Sequence, residues 1–120
     1  MRVPSKLIEK TLSALQIAKV TGTIKTGLFE NMRSLEANKV KYLILSADLK
    51  PRDDKIRKRL MVLRMLLKDK KIPCFELSTK EELGKIVGID MGTSSIAIID
   101  SGRASSMFKD LAADMERDTN

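Results

Sequence analysis

The side chains in this sequence that could do chemistry are concentrated in its middle, and that chemistry would be the binding of a polyanion. Residues 50–71 contain ten Lys or Arg side chains against three acidic ones, a net charge of +7. The formal charge of the whole chain is also +7, so the excess lies in this segment. Such a concentration indicates either a polyanion partner or a merely solvated helix face. The basic side chains in question are Arg52, Lys55, Arg57, Lys58, Arg59, Arg64 and Lys68.

Residues that could catalyse a reaction are scarce. The chain has no histidine, the side chain that most often serves as a general base or a metal ligand. Its single cysteine, Cys74, lies in an apolar stretch without an activating partner, so we expect a core thiol, no internal disulfide and no thiolate zinc site. Glu81 and Glu82 fall at a predicted helix start, where capping accounts for them. The sequence therefore predicts a protein that is not an enzyme and holds no metal or cofactor.

One string needs separate consideration, because Gly88 to Ser95 (GIDMGTSS) resembles the phosphate loop of the sugar kinase, actin and chaperone ATPase superfamily. In that superfamily the loop follows a strand and opens one of two large lobes. Here a capped helix is predicted before the string, and only 25 of the 120 residues follow Ser95. We therefore expect no ATPase activity.

The length and composition of the chain are those of one folded domain, and we expect a single domain over residues 1–120. Hydrophobic residues make up 42% of the chain, which is enough for one core, but aromatic residues make up only 3%, so that core must be mainly aliphatic. No apolar run is long enough to span a bilayer, and no apolar secretory segment follows the N-terminus. These features predict a cytosolic or nuclear protein without a membrane partner.

Helical and strand patterns alternate along the chain. Apolar spacing, capping residues and turn residues predict helices over residues 5–19, 28–38, 52–70, 79–88 and 104–116, and strands over 24–26, 41–47, 72–77 and 93–100. This alternation predicts an α/β fold, a three-layer α/β/α sandwich with a mixed sheet of four to five strands. In the third predicted helix, the apolar line expected to face the sheet consists of Ile56, Leu60, Leu63 and Leu67.

Four strings cover most of the chain: TGTIKTGLFE (21–30), KVKYLILSADLKP (39–51), KKIPCFELSTKEELGKIVGI (70–89) and SSIAIID (94–100). In order and spacing they resemble the superfamily of kink-turn RNA-binding ribosomal proteins, typified by the archaeal large-subunit protein of the seven-Ae type. Other members are large-subunit protein thirty-e, small-subunit protein twelve-e and the box C/D and box H/ACA core proteins. The third string is fairly specific, whereas each of the others alone is weak.

The resemblance implies an RNA contact where the predicted first strand meets the second helix. In the family, a glycine there lets the backbone approach RNA at a helix N-terminus, and Gly27 has that position. The acidic residue of the family motif, which could accept from a base amino group, corresponds to Glu30. The family loop after the fourth helix supplies residues that pack on bases. The residues implied to bind RNA are Lys25, Thr26, Gly27, Phe29, Glu30, Arg33, Ile89, Asp90 and Met91.

The sequence departs from the family motif at two positions. Phe29 replaces the signature Asn, which reads a sheared purine pair in the family, and Thr26 replaces the second Lys of the junction. Phe29 could stack on a base, lie in the core or contact a protein. The string from Gly27 to Glu30 is more similar to that of small-subunit protein twelve and the box H/ACA relative.

Each implied contact also has a purely structural interpretation. Gly27 could be a simple helix-start turn. Glu30 and Arg33 lie three residues apart and could form a surface ion pair. Ile89 and Met91 could pack against the sheet edge.

Taken together, the residues and the resemblance predict a non-enzymatic RNA-binding protein, most simply a structural ribosomal protein that binds folded ribosomal RNA at a kink-turn or similar motif. Its partners would be structured RNA and neighbouring ribosomal or ribonucleoprotein proteins, with no small-molecule substrate. We expect it in the cytoplasm on the ribosome, or in the nucleus or nucleolus of a eukaryote. The alternative is a protein-interaction module, or another ribonucleoprotein core component of the snoRNP or RNase P type, that has lost kink-turn recognition. A divergent paralogue of the principal family member fits the same pattern.

Overall fold

The strands lie side by side in one mixed sheet, in the order β1–β4–β2–β3. The computed structural model describes residues 2–118. Within that range the strands are β1 (Thr23–Thr26), β2 (Tyr42–Leu45), β3 (Cys74–Glu76) and β4 (Ser95–Asp100). β4 pairs antiparallel with both β1 and β2, whereas β2 and β3 are parallel. Because β4 lies between β1 and β2, its first residue, Ser95, has a neighbouring strand on each side.

Helices fill each interval between these strands, and one further helix lies before β1 and one after β4. They are α1 (Ser5–Thr21), α2 (Leu28–Glu36), α3 (Asp54–Asp69), α4 (Lys80–Val87) and α5 (Ser105–Asp118), the last preceded by a 3-10 turn at Gly102–Ala104. The side chain of Asp53 caps α3 by accepting a hydrogen bond from the Lys55 N–H at 2.7 Å. Thr79 caps α4 by accepting from the Glu82 N–H at 3.1 Å, as its sequence pattern predicts. Every predicted element is present, with boundaries that differ by a few residues.

The alternation of side chains along the strands divides the core into two halves. One half, under α1, α4 and α5, contains Leu15, Ile44, Phe75, Leu83, Ile96, Ile98 and Phe108. The other half, under α2 and α3, contains Leu35, Leu43, Leu45, Leu63, Leu67 and Ala97. Helices thus cover both faces of a mixed four-stranded sheet, which confirms the predicted α/β/α sandwich.

Three of the four aromatic side chains of the chain form one cluster in the first half of the core. The Tyr42 ring stacks on Phe108 with centroids 4.9 Å apart, and Phe75 lies 6.1 Å from each of them. Burial raises the pKa of Tyr42 above its ordinary value. The fourth aromatic residue, Phe29, lies outside both halves of the core and is 52% exposed, so the interpretation of Phe29 as a core residue is wrong.

Helix α3 rests on the sheet mainly through its C-terminal half. Leu63 and Leu67 are buried and Leu60 is half-buried, as expected for the predicted apolar line. Ile56, at the N-terminal end of that line, is 36% exposed, so here the expectation that it faces the sheet fails. The outer face of α3 also exposes Met61, Val62 and Met65 among its basic side chains.

Because α3 has so few buried anchors, we predict that Leu63→Ala destabilises the fold by about 2–5 kcal/mol through reduced burial and the cavity left behind. Met61→Ala is the matched control on the same helix, since Met61 is 64% exposed, and its cost should stay within about 0.5 kcal/mol. Urea denaturation followed by circular dichroism measures both. An equal loss of unfolding free energy in the two variants would contradict the packing of α3 on the sheet through Leu63.

Candidate nucleic-acid interface

Gly27 forms the junction between β1 and α2 and adopts a φ angle of 98°. A Cβ atom on Gly27 would meet no atom within 4 Å, so the backbone conformation rather than crowding requires glycine here. No side chain caps α2, which leaves its first N–H groups available to an external acceptor. Gly27 is therefore a helix-start turn, in agreement with its structural interpretation, but its outer side is open to a ligand.

Hydrogen bonds fix this junction to the start of β4. The Gly27 N–H donates to the Ser95 carbonyl at 3.2 Å, and the Asn31 N–H donates to the Gly27 carbonyl at 3.0 Å. The Asn31 side chain is fully buried and donates through Nδ2 to the Ser95 hydroxyl at 2.8 Å. The family motif does not single out Asn31 or Ser95. The only signal for Asn31 in the sequence is a polar residue on the apolar face of a helix.

The implied RNA-binding residues around this junction are accessible. Lys25, Gly27, Phe29, Glu30 and Arg33 are exposed, and Thr26 is partly exposed. The ion pairs among the described residues do not include Glu30 or Arg33, so the interpretation of these two as a surface ion pair is wrong. Both charges remain available to a partner.

The loop between α4 and β4 is folded back on α4 and ends at the same junction. The Ile89 N–H donates to the Gly84 carbonyl at 2.7 Å, and the Thr93 N–H donates to the Lys80 carbonyl at 3.0 Å. Met91 is 91% exposed at the tip, which contradicts its packing against the sheet edge, whereas Ile89 is half-buried. Asp90 is exposed between them. Because Ser95 follows this loop directly, the fold brings the loop and the Gly27 junction to one end of β4.

The structure contradicts the interpretation of Gly88 to Ser95 as a phosphate loop. A helix, α4, precedes the string where the ATPase superfamily has a strand. The Thr93 hydroxyl donates to the Ser95 carbonyl at 3.1 Å, and the Ser95 hydroxyl accepts from Asn31. These hydroxyl groups hold the loop and the junction together, which is a structural use.

A cleft of about 490 Å³ opens beside the junction. Its walls come from the start of α2, the turn between β2 and α3, and the start of α4, and they include Leu28, Phe29, Asp48, Lys50, Ile56 and Lys80. The Asp48 carboxylate accepts a hydrogen bond from the Lys80 N–H at 3.2 Å, which links two of these walls. Asp48, Lys50 and Lys80 are not among the residues that the resemblance implies for the site, although all three lie within the strings that carry it.

The seven basic side chains from Arg52 to Lys68, which form the basic surface of this protein, are all exposed, but they are not equally available. Arg57 donates to the Pro51 carbonyl at 2.8 Å and lies 3.6 Å from the Asp54 carboxylate. Arg64 pairs with Glu76 at 2.6 Å. The ion pairs among residues 2–118 do not include the remaining members of this surface, which are Arg52, Lys55, Lys58, Arg59 and Lys68.

Arg59 joins the basic side chains of α3 to the Gly27 junction. Its Cζ atom lies 4.1 Å from the centroid of the Phe29 ring, so α3 contacts the start of α2. Phe29 and Arg59 are 30 residues apart in the sequence. The structure makes them neighbours.

The single thiol is not arranged for catalysis. Cys74 is half-buried on β3 and packs against the second half of the core. Burial is the main reason that the pKa of the Cys74 thiol is raised to about 11; the nearby Glu76 carboxylate acts in the same direction and Arg64 in the opposite one. The thiol is therefore protonated at neutral pH. Over residues 2–118, no cluster of three or more Cys, Asp or Glu side chains could hold a metal ion, and no helix is long and apolar enough to cross a membrane.

Comparison with known proteins decides the family. Residues 9–108 match the model of the Ribosomal protein L7Ae/L30e/S12e/Gadd45 family. The chain belongs to this family. The matched range contains the Gly27 junction, the loop before β4 and all of α3, and it confirms the resemblance found in the four strings.

Two individual proteins are similar to this chain over most of its length. Large ribosomal subunit protein eL8 of Haloquadratum walsbyi is 32% identical over 114 residues, which are 95% of this chain and 91% of that protein. The structure of the Giardia lamblia 15.5kD RNA binding protein matches with a TM-score of 0.80 at 18% identity, covering 95% of this chain and 91% of that one. At this identity the structural match establishes the fold.

The buried bond between Asn31 and Ser95 should be a specific contributor to this site. We predict a coupling of about 1 kcal/mol between Asn31→Ala and Ser95→Ala in a double-mutant cycle. Each single variant should be destabilised, because it leaves the other polar group buried without that partner. Urea denaturation of the two single variants and the double variant gives the coupling. Strictly additive costs would show that the bond does not hold α2 to β4.

Proposed function

We propose that this chain is a non-catalytic RNA-binding protein of the ribosome and that the Gly27 junction, the loop over residues 89–91 and the adjoining cleft form its RNA contact. The observation that supports this most directly is the shared anchor at Ser95, which brings two distant and exposed segments to one end of the sheet. The relative from Haloquadratum walsbyi is described as a ribosomal protein and the Giardia lamblia relative as an RNA binding protein. Both descriptions favour the same role for this chain.

The binding mechanism would be passive. Uncapped N–H groups at the start of α2 can donate to a phosphate, and the partial positive charge of the helix N-terminus favours an anion there. Lys25 and Arg33 supply positive charge on either side of Gly27. The Glu30 carboxylate can accept from a base amino group, and the exposed Met91 side chain can pack on an unstacked base. A kink-turn or similar internal loop offers such bases.

The basic face of α3 would make a second contact with the same RNA or with a neighbouring segment. Its cations outside ion pairs can neutralise phosphates, which adds affinity and fixes orientation without reading sequence. The whole described domain then acts as one RNA-binding unit. Association with the ribosome would place the protein in the cytoplasm, next to other ribosomal or ribonucleoprotein proteins.

One observation favours an additional protein contact. Met61, Val62 and Met65 are exposed on the outer face of α3, where no described element of this chain covers them. Exposed apolar side chains grouped on one helix face are typical of interaction surfaces. A neighbouring protein of the particle is the partner that fits this role, and it would bind beside the RNA rather than instead of it.

The first test addresses the junction. Gly27→Val combined with Glu30→Ala should weaken binding of a kink-turn RNA, because a β-branched residue disfavours the positive φ angle of Gly27 and the carboxylate acceptor is removed. Filter binding measures the affinity, and thermal melting checks that the domain remains folded. Glu36→Ala, an acidic residue at the far end of α2, is the control and should bind like the wild type. A folded double variant with unchanged affinity would remove this face from the proposal.

The second test addresses the basic face. Replacing Lys55, Lys58 and Lys68 by Gln should reduce the dependence of log affinity on log salt by about 0.7–0.9 for each phosphate that is no longer neutralised. The matched control replaces Lys6, Lys85 and Lys109 by Gln, since these are exposed on the helices of the opposite face. That variant has the same net charge and should keep the wild-type slope. Equal changes in both variants would indicate only a general charge effect.

A further inference from the structure

We propose that Phe29 and Arg59 act as one unit that stacks an unpaired nucleobase of the bound RNA. The unit joins α2 to α3 at the rim of the cleft, so bases would be held by a pair of side chains from two helices. This inference rests on the proposed function, and it adds the class of ligand group and a partner for Phe29, Arg59, that lies outside the family motif.

The first observation concerns Phe29. It is 52% exposed although Arg59 lies over its ring, and it belongs to neither half of the core. Its neighbour Leu28 packs against the core under α2 and α3. Aromatic side chains are rare in this chain, and the other three form a buried cluster. The Phe29 ring at the start of α2 is thus not part of the core, and its accessible surface can contact a flat apolar group of a ligand.

The second observation concerns Arg59. Its guanidinium carbon lies 4.1 Å from the Phe29 centroid, and none of the ion pairs over residues 2–118 includes Arg59. Arg57 and Arg64 on the same helix do pair with carboxylates. A guanidinium that contacts a ring through its carbon keeps N–H donors at its edge. Arg59 can therefore orient the ring and also donate to a phosphate.

The surroundings of the pair favour a nucleotide. Phe29 lines the cleft together with two cationic side chains, Lys50 and Lys80, and one carboxylate, Asp48, so the charged lining of the cleft is positive on balance. An aromatic face, a guanidinium and flanking lysines are the groups that bind a single-stranded base together with its phosphate. The same ring could instead serve as an anchor for a protein partner, and the experiment separates these outcomes.

The probe is a kink-turn RNA with 2-aminopurine placed in turn at each unpaired position, compared with a fully paired duplex of the same length. We expect one position to change fluorescence when the wild-type protein binds. Phe29→Tyr, which keeps the ring, should retain that signal and bind within a few-fold of the wild type. Phe29→Leu, which keeps apolar bulk without the ring, should abolish the signal and weaken binding about fivefold to a hundredfold.

Arg59→Lys tests whether the pair acts as a unit, because it keeps the charge and removes the planar group. It should weaken binding in the wild-type background with the salt slope unchanged, and it should have little further effect on top of Phe29→Leu. Arg103→Lys is the matched control, since Arg103 is exposed in the 3-10 turn before α5, lies outside the proposed RNA contacts and is not the guanidinium over Phe29; this change should leave affinity near the wild-type value. Thermal melting shows whether any variant is merely less stable.

The outcomes separate this inference from the function on which it rests. If the wild type binds the kink-turn RNA but Phe29→Leu and Arg59→Lys act independently, or leave the fluorescence signal intact, the stacking unit does not exist and the proposed function stands. Reduced stability with unchanged RNA affinity would assign the pair to helix packing and overturn the inference. If the wild type does not distinguish the kink-turn RNA from the duplex while Phe29→Leu abolishes binding of a ribosomal protein, the ring is a protein anchor and both proposals fail.

Discussion

The hydrogen bonds at Ser95 are the constraint on which the rest of the site depends. Its carbonyl accepts from the backbone of Gly27, and its hydroxyl accepts from the buried Asn31 side chain. Because Ser95 is also the first residue of β4, which lies between β1 and β2, this one position fixes the start of α2 to the centre of the sheet. The loop before β4 ends at the same point. Ser95 therefore holds the start of α2 and the loop before β4 in a defined position relative to each other.

A second consequence of the fold is the exposure of α3. Burial of Leu63 and Leu67 is enough to hold the C-terminal half of this helix, while its N-terminal half stands over the cleft. The basic side chains are then distributed around a helix that is accessible over most of its surface. Since Arg59 reaches across to Phe29, the positive surface continues into the junction at α2. The positive charge of α3 and the shape of the cleft can thus both contribute to binding at one continuous face.

The chemistry available at this face is that of binding. Backbone N–H groups, a carboxylate acceptor, an exposed ring and solvated cations can position an RNA, and none of them needs to transfer a proton. The one thiol lies on β3, where burial raises its pKa to about 11 and hence keeps it protonated. Membership of the L7Ae/L30e/S12e/Gadd45 family agrees with such a role.

The sequence by itself determined the elements of this protein, because helix and strand periodicity, the caps at Thr79 and Gly88 and the short connections are local properties. It also determined the absence of histidine, the single cysteine and the location of the positive charge, since these are read directly from the residues. The anchor between Asn31 and Ser95, the exposure of Phe29 and its contact with Arg59 were decided only by the tertiary structure. Asn31 and Ser95 are 64 residues apart, and no local pattern specifies which distant side chain will lie opposite. The sheet order places β4 next to both β1 and β2, and that arrangement converts separate motifs into one face.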